Sequence, residues 1–171
     1  TIKSIDKLPE IFWYDDGLQF SAALQDHQAP LVFNIAGTGA AYNSAKMIEI
    51  QKLLFHEGFH VINISSLTYL DFLLTASASH MPGYAPDDTQ DIYRVMQQAY
   101  GRVKDDIEVS AFHITGYSLG AMHAAFIADL DKREKKFNIQ KVYMINPPVS
   151  LYNSAVVLDK LTANDIPSVD G

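Results

Sequence analysis

Gly116-Tyr117-Ser118-Leu119-Gly120 matches G-x-S-x-G, the nucleophile-elbow pattern. The spacing has a physical reason. A serine at a sharp strand-to-helix turn has its hydroxyl thrust clear of the chain, and glycines two residues to either side let strand and helix pass closely. The N–H of the following residue, Leu119, faces the same point from the helix start. A serine held this way can attack a carbonyl carbon, and the N–H can hold the oxyanion that forms. The bare pattern arises by chance in about one chain in twenty of this length, so its setting carries the weight. Val109-Ser-Ala-Phe-His-Ile-Thr115 predicts a buried strand before it, and the Ala-rich run from Ala121 to about Leu130 predicts a helix after it.

A second glycine pattern agrees with the first. Pro30 opens the apolar run Leu31-Val-Phe-Asn-Ile-Ala36, which ends at Gly37-Thr38-Gly39. This reads as a buried strand and a tight loop, where an elbow enzyme finds its other oxyanion donor. Thr38 N–H is the candidate; a plain glycine turn is the alternative. A nucleotide-binding loop is a weaker reading, because the segment has neither the Lys of a P-loop nor a full G-x-G-x-x-G.

The elements around these motifs follow from period and punctuation. Asp15-Asp-Gly17 between Ile11-Phe-Trp-Tyr14 and Leu18-Gln-Phe20 signals a hairpin. Asn43 or Ser44 can cap a helix that carries Met47, Ile50 and Leu54 and stops at Gly58. Phe59–Ile64 is the next strand. A long connection, 65–86, follows and reads as a lid or substrate wall. Its Tyr69, Leu70, Phe72, Leu73 and Leu74 point to an apolar acyl group or to core packing. Asp87, Asp88 and Asp91 suit a helix start, with a metal cluster as the weaker reading. Ile92, Val95, Met96, Ala99 and Val103 then form a helical stripe. Lys141–Asn146 is a fourth strand. Strands alternating with helices predict a mostly parallel sheet with helices on both faces, a three-layer α/β/α arrangement, with ligands at the carboxyl ends of the strands.

Over roughly residues 10–155 this order resembles the first two-thirds of the α/β-hydrolase superfamily, with the elbow as the fairly specific motif. The family's His-Gly pair at the glycine loop is replaced by Ala36-Gly37. The resemblance implies one α/β-hydrolase-like domain over 1–171, with its last strands missing or truncated. It also implies a serine hydrolase acting on an ester, thioester or related acyl bond, with Ser118 as nucleophile and Leu119 and Thr38 N–H groups as oxyanion donors. Gly37, Tyr117, Ser65 and Asn146 are candidate pocket residues, with Ser150 and Tyr152 close by. The family's triad runs Ser, Asp/Glu, His along the chain. After Ser118 the one histidine is His123, on the predicted elbow helix and poorly placed as the base. The base is therefore expected beyond this chain, with His80 in the long connection as the candidate within it and Asp159 or Asp165 as the acid. His113 reads as a core residue, and His27, His56 and His60 as surface residues. The alternative is a non-catalytic, hydrolase-like binding domain.

Composition bounds the rest. The chain has 171 residues, 48% hydrophobic and 19% charged, which suits one globular domain. Its net charge of −7 argues against a nucleic-acid partner. The basic cluster Asp131–Lys136 contains two acids and reads as a solvated helix end. There is no cysteine, hence no disulfide or thiolate metal site. No cofactor or metal motif stands out, and the expected partner is a small-molecule acyl substrate. No apolar run of about 18 residues predicts a transmembrane helix. The lack of Cys and the start at Thr1 are compatible with export, and the oligomeric state is left open.

Overall fold

A computed structural model describes residues 17–165, with 161–165 described by their backbone alone. Five strands form one sheet in the order β1-β3-β2-β4-β5. They are β1 (Phe20–Ala23), β2 (Ala29–Ile35), β3 (His60–Ile64), β4 (Val109–Tyr117) and β5 (Lys141–Ile145). β1 runs antiparallel to β3, and every other pairing is parallel. The helices are α1 (Ala45–His56), α2 (Leu70–Thr75), α3 (Ala85–Val103), α4 (Leu119–Glu134) and α5 (Leu151–Asp165). Residues 11–16, the first arm and turn of the predicted hairpin, lie outside the described residues.

The connections dictate the layers. β2-α1-β3 crosses the sheet one way, whereas β3-α3-β4 and β4-α4-β5 cross it the other way. Right-handed crossovers then put α1 on one face and α3 with α4 on the opposite face. α3 and α4 pack on each other accordingly. The direction reverses between β2 and β4, so their carboxyl ends splay apart and leave a crevice there.

β2 and β3 are buried along almost their whole length, as parallel strands covered on both faces must be. Their asparagines bond across the strands: Asn34 Nδ2 donates to Asn63 Oδ1 at 2.9 Å, and Asn63 Nδ2 donates to the carbonyls of Tyr42 and Met47, while Asn34 Oδ1 has no partner. Under α3 and α4, Phe33, Phe112 and Phe137 stack with Tyr93 and Tyr100, mostly edge to face. β5 is one edge of the sheet, opposite β1, and Lys141–Met144 are exposed.

The 65–86 connection contains a helical turn and a half, α2, whose Phe72 and Thr75 enter the core, in line with the core-packing alternative for its apolar residues. Three expectations need correction. Asp88 and Asp91 do not cap α3, whose N-cap is Tyr84 with no side-chain bond. Instead, Asp88 accepts from Gly83 N–H at 2.9 Å, and Asp91 accepts from Ala78 N–H and from Arg94. The two carboxylates tie the 76–84 loop to the helix. His60 is fully buried, because its ring spans Gln25 N–H and the Glu108 carbonyl. Asp131 is also buried, and only the rest of its charged cluster is solvated.

Candidate active site

The reversal point holds the two glycine motifs side by side. β4 ends at Tyr117, Ser118 makes the turn, and α4 begins at Leu119. Ser118 has φ 53° and ψ −125°, outside the regions a side chain prefers. Holding a non-glycine residue there costs about 1–3 kcal/mol, so the surroundings must enforce it. They do so in three places. Ser118 N–H donates to the Ile145 carbonyl at 2.9 Å, which fixes the turn to the end of β5. A Cβ on Gly116 would lie 2.5 Å from the Gly120 backbone, so the turn can close this tightly only without one. A Cβ on Gly120 would lie 2.3 Å from the Ile35 carbonyl oxygen, so α4 can start against the end of β2 only because that atom is absent. The result is a serine exposed at the rim of the crevice.

The second loop abuts the first. A Cβ on Gly37 would be 2.6 Å from the Tyr117 ring, so this loop lies directly on the residue before Ser118. Gly39 N–H is taken by Thr68 Oγ1 at 2.8 Å, and Ala40 N–H by the Gly37 carbonyl. Among the described residues Thr38 N–H has no acceptor in this turn. Leu119, as the first residue of α4, has no intrahelical acceptor for its N–H either. Thr38 and Leu119 line one cavity of about 260 Å³, together with Leu67, Pro82 and Met122. A larger cavity of about 390 Å³ lies by the amino ends of β2 and β4, lined by Gln25–Gln28 and Asp105–Glu108, and has no part in this site.

The other candidate residues are dispersed. Ser65 is fully buried and its Oγ accepts from Tyr42 N–H at 2.9 Å, so it shapes the floor beneath the Thr38 loop rather than the cavity wall. Asn146 follows β5 with φ 48° and is exposed. Asp159 lies on the exposed face of α5. His80 sits in the loop after α2, where its Nδ1 pairs with the Leu73 carbonyl at 2.7 Å and its N–H with Ser77 Oγ. None of the hydrogen bonds of His27, His60 or His80 reaches Ser118. Of Tyr69–Leu74, none lines the cavity; Leu67, Thr68, Pro82 and Gly83 supply the wall from that connection.

In the sequence His123 reads as a poorly placed base with no part in the pocket. It is 1% exposed, lines the cavity, and its Nδ1 has no hydrogen-bond partner. Burial lowers its pKa to about 4. Its position, four residues past Leu119 on the same helix, was the available signal. Asp88 shares the cavity wall, and burial raises its pKa. Among the described residues no group of three or more His, Asp and Glu side chains is placed to hold a metal ion. Nor is any described helix long and apolar enough to cross a membrane.

No family profile and no curated protein matches the chain in sequence. Solved structures do match. The thermostable carboxylesterase EstE1, cloned from a metagenomic library, aligns with a TM-score of 0.58 at 17% identity, over 88% of this chain and 50% of that one. Est1E from Butyrivibrio proteoclasticus aligns at 0.51 and 16%, over 74% and 46%. Proline iminopeptidase from Mycobacterium smegmatis aligns at 0.55 and 19%, over 87% and 46%. The chain thus has the α/β-hydrolase fold, and it spans about half the length of these structures. At such identities the likeness concerns the fold.

Proposed function

We propose that the protein is a serine hydrolase of the α/β-hydrolase type, cleaving an ester, thioester or related acyl bond. The observation that carries this reading is Ser118: an exposed serine, held at φ 53° between β4 and α4, beside two backbone N–H groups without acceptors. In the proposed reaction Ser118 Oγ attacks the acyl carbon. The Leu119 and Thr38 N–H groups receive the developing oxyanion, and one such donor is worth about 3–4 kcal/mol of barrier. The leaving alcohol or thiol departs with a proton, and water then releases the acid. The fold neighbours named as a carboxylesterase and an iminopeptidase are consistent with this class of chemistry.

The reaction needs a base for the Ser118 proton. Among the described residues, which include all six histidines, none hydrogen-bonds Ser118, so the reading assigns the base to sequence outside these 171 residues, with His80 as the candidate within them. Covalent labelling with a fluorophosphonate tests both points. Intact mass and peptide mapping would be compared for this chain and for the product of its full reading frame. Labelling of Ser118 only in a longer product places the base outside. Labelling in both makes His80→Ala the next variant. Folded protein that labels in neither case overturns the hydrolase reading. It would favour the binding-domain alternative, which the lack of a histidine at Ser118 supports.

A further inference from the structure

We infer that the cavity beside Ser118 takes an apolar acyl chain bearing one neutral oxygen, and that His123 is the residue that recognises that oxygen. The inference rests on the reading of Ser118 as the group that meets the acyl carbon. The cavity walls are mostly hydrocarbon: Leu67, Pro82, Leu119, Met122 and Leu151. A simple alkyl chain would be served best by an apolar residue at every wall position. Instead the wall includes Thr38, Thr68 and Asp88, the last two already bonded to Gly39 N–H and Gly83 N–H, and an imidazole that is 1% exposed, with Nδ1 unpartnered. A buried polar group without a partner is costly. Among the described residues Asn34 Oδ1, Ser44 Oγ, His113 Nδ1 and His123 Nδ1 lack one, and of these four residues His123 alone lines the cavity.

The charge state narrows the ligand. Burial keeps this imidazole neutral near pH 7, so it offers one N–H donor and one nitrogen acceptor rather than a cation. A carboxylate or phosphate gains no ion pair from it. A ketone or hydroxyl oxygen does gain a hydrogen bond. Position narrows it further. His123 stands one helical turn beyond Leu119, about 6 Å along the axis from the proposed oxyanion donor, on the same side of α4. The oxygen therefore belongs a few bonds along the acyl chain from the reacting carbonyl, in a space of about 260 Å³.

The test measures binding, so it requires no proton acceptor for the serine. Ser118→Ala protein would be titrated with ethyl hexanoate and ethyl 5-oxohexanoate, matched in length and differing in one oxygen, while the His123 ring nitrogens are followed by ¹⁵N NMR. The keto ester should bind about tenfold more tightly, the worth of one buried hydrogen bond, and should shift a His123 nitrogen resonance. His123→Leu in the same background should reduce the preference to within about twofold, and His123→Gln should restore part of it. The glutamine variant also serves if the leucine variant fails to fold. Equal affinities with His123 intact, a preference that survives His123→Leu, or no binding of either ester would each overturn the inference. Failure of Ser118 to label in both this chain and the full reading-frame product would overturn the hydrolase reading and leave the measured preference standing.

Discussion

Gly120 lies so close to Ile35 that a methyl group on it would sit 2.3 Å from the Ile35 carbonyl oxygen and 2.5 Å from that of Ala36. The obstacle is strand backbone, which cannot swing aside as a side chain can. Gly120→Ala should therefore cost 3 kcal/mol or more, at or beyond the upper end of about 1–3 kcal/mol for overpacking. Gly101 is the contrasting case: it is exposed within α3, with nothing within 4 Å of an added Cβ. Gly101→Ala should stabilise by roughly 0.5–1 kcal/mol through helix propensity. Urea unfolding of the two variants checks both signs. Similar midpoints for the pair would mean that α4 does not start against β2 as described.

Ser118 carries backbone strain that glycine would not. With φ 53° and ψ −125°, Ser118→Gly should raise stability by about 1 kcal/mol, while removing the hydroxyl and with it fluorophosphonate labelling. A gain in stability with a loss of reactivity is the pattern of a residue kept for function. Ser118→Ala removes the hydroxyl and retains the strain, so it separates the two effects. If the glycine variant is no more stable than the alanine variant, the strained turn is not present in solution.

The parts legible in the sequence are those set by neighbours along the chain. The strand, turn and helix around Ser118 follow from two glycines at fixed offsets and the apolar runs that flank them. The stripe Ile92 to Val103 marked α3 because a helical face repeats locally. What escaped was set by distant partners. His60 reads as polar at a strand start, yet its ring is satisfied by Gln25 and Glu108, 35 and 48 residues away. Tyr69–Leu74 shows no clear period over a helix as short as α2, and burial of Phe72 in the core decides it. Asp131 sits among Lys and Arg, and only the fold brings N–H donors round to it.

Asp131 itself yields a stability prediction. Its carboxylate is buried near the carboxyl end of α4, where the helix dipole disfavours negative charge. It accepts from Phe137 N–H at 3.0 Å, Ile139 N–H at 2.7 Å and the Tyr93 hydroxyl. These bonds hold the chain that reverses from α4 into β5 and so supports the Ile145 contact to Ser118. Burial, and then the bond to Asp131, raises the Tyr93 pKa. Asp131→Ala would strand two backbone N–H groups and should cost about 3 kcal/mol or more. Tyr93→Phe should cost about 1–2 kcal/mol: the two backbone bonds to Asp131 remain, and the loss is the hydroxyl's bond to Asp131 and the longer bond it accepts from Lys136 N–H at 3.3 Å. Thermal unfolding of both variants gives the order; a milder effect for Asp131→Ala than for Tyr93→Phe would contradict this account of the turn.

His123 should make the protein sensitive to mild acid. Its folded pKa is about 4, against 6.5 unperturbed, with burial as the cause. Above pH 6.5 both folded and unfolded chains hold the imidazole neutral, and it contributes no pH dependence. Between 6.5 and about 4 the unfolded chain binds a proton that the folded chain refuses, so stability falls as pH falls. The slope from this one site is at most about 1.4 kcal/mol per pH unit, and the loss accumulates to about 3 kcal/mol by pH 4. Burial lowers the His113 pKa too, and raises that of Asp88, whose contribution has the opposite sign. Both remain in a His123→Gln protein, so the difference between the two stability profiles isolates His123. The variant's profile should be flatter from pH 6.5 to 4, and the two should run parallel above 6.5. Profiles that stay parallel down to pH 4 would mean that the imidazole reaches solvent, and the cavity wall would then have to be redrawn without it.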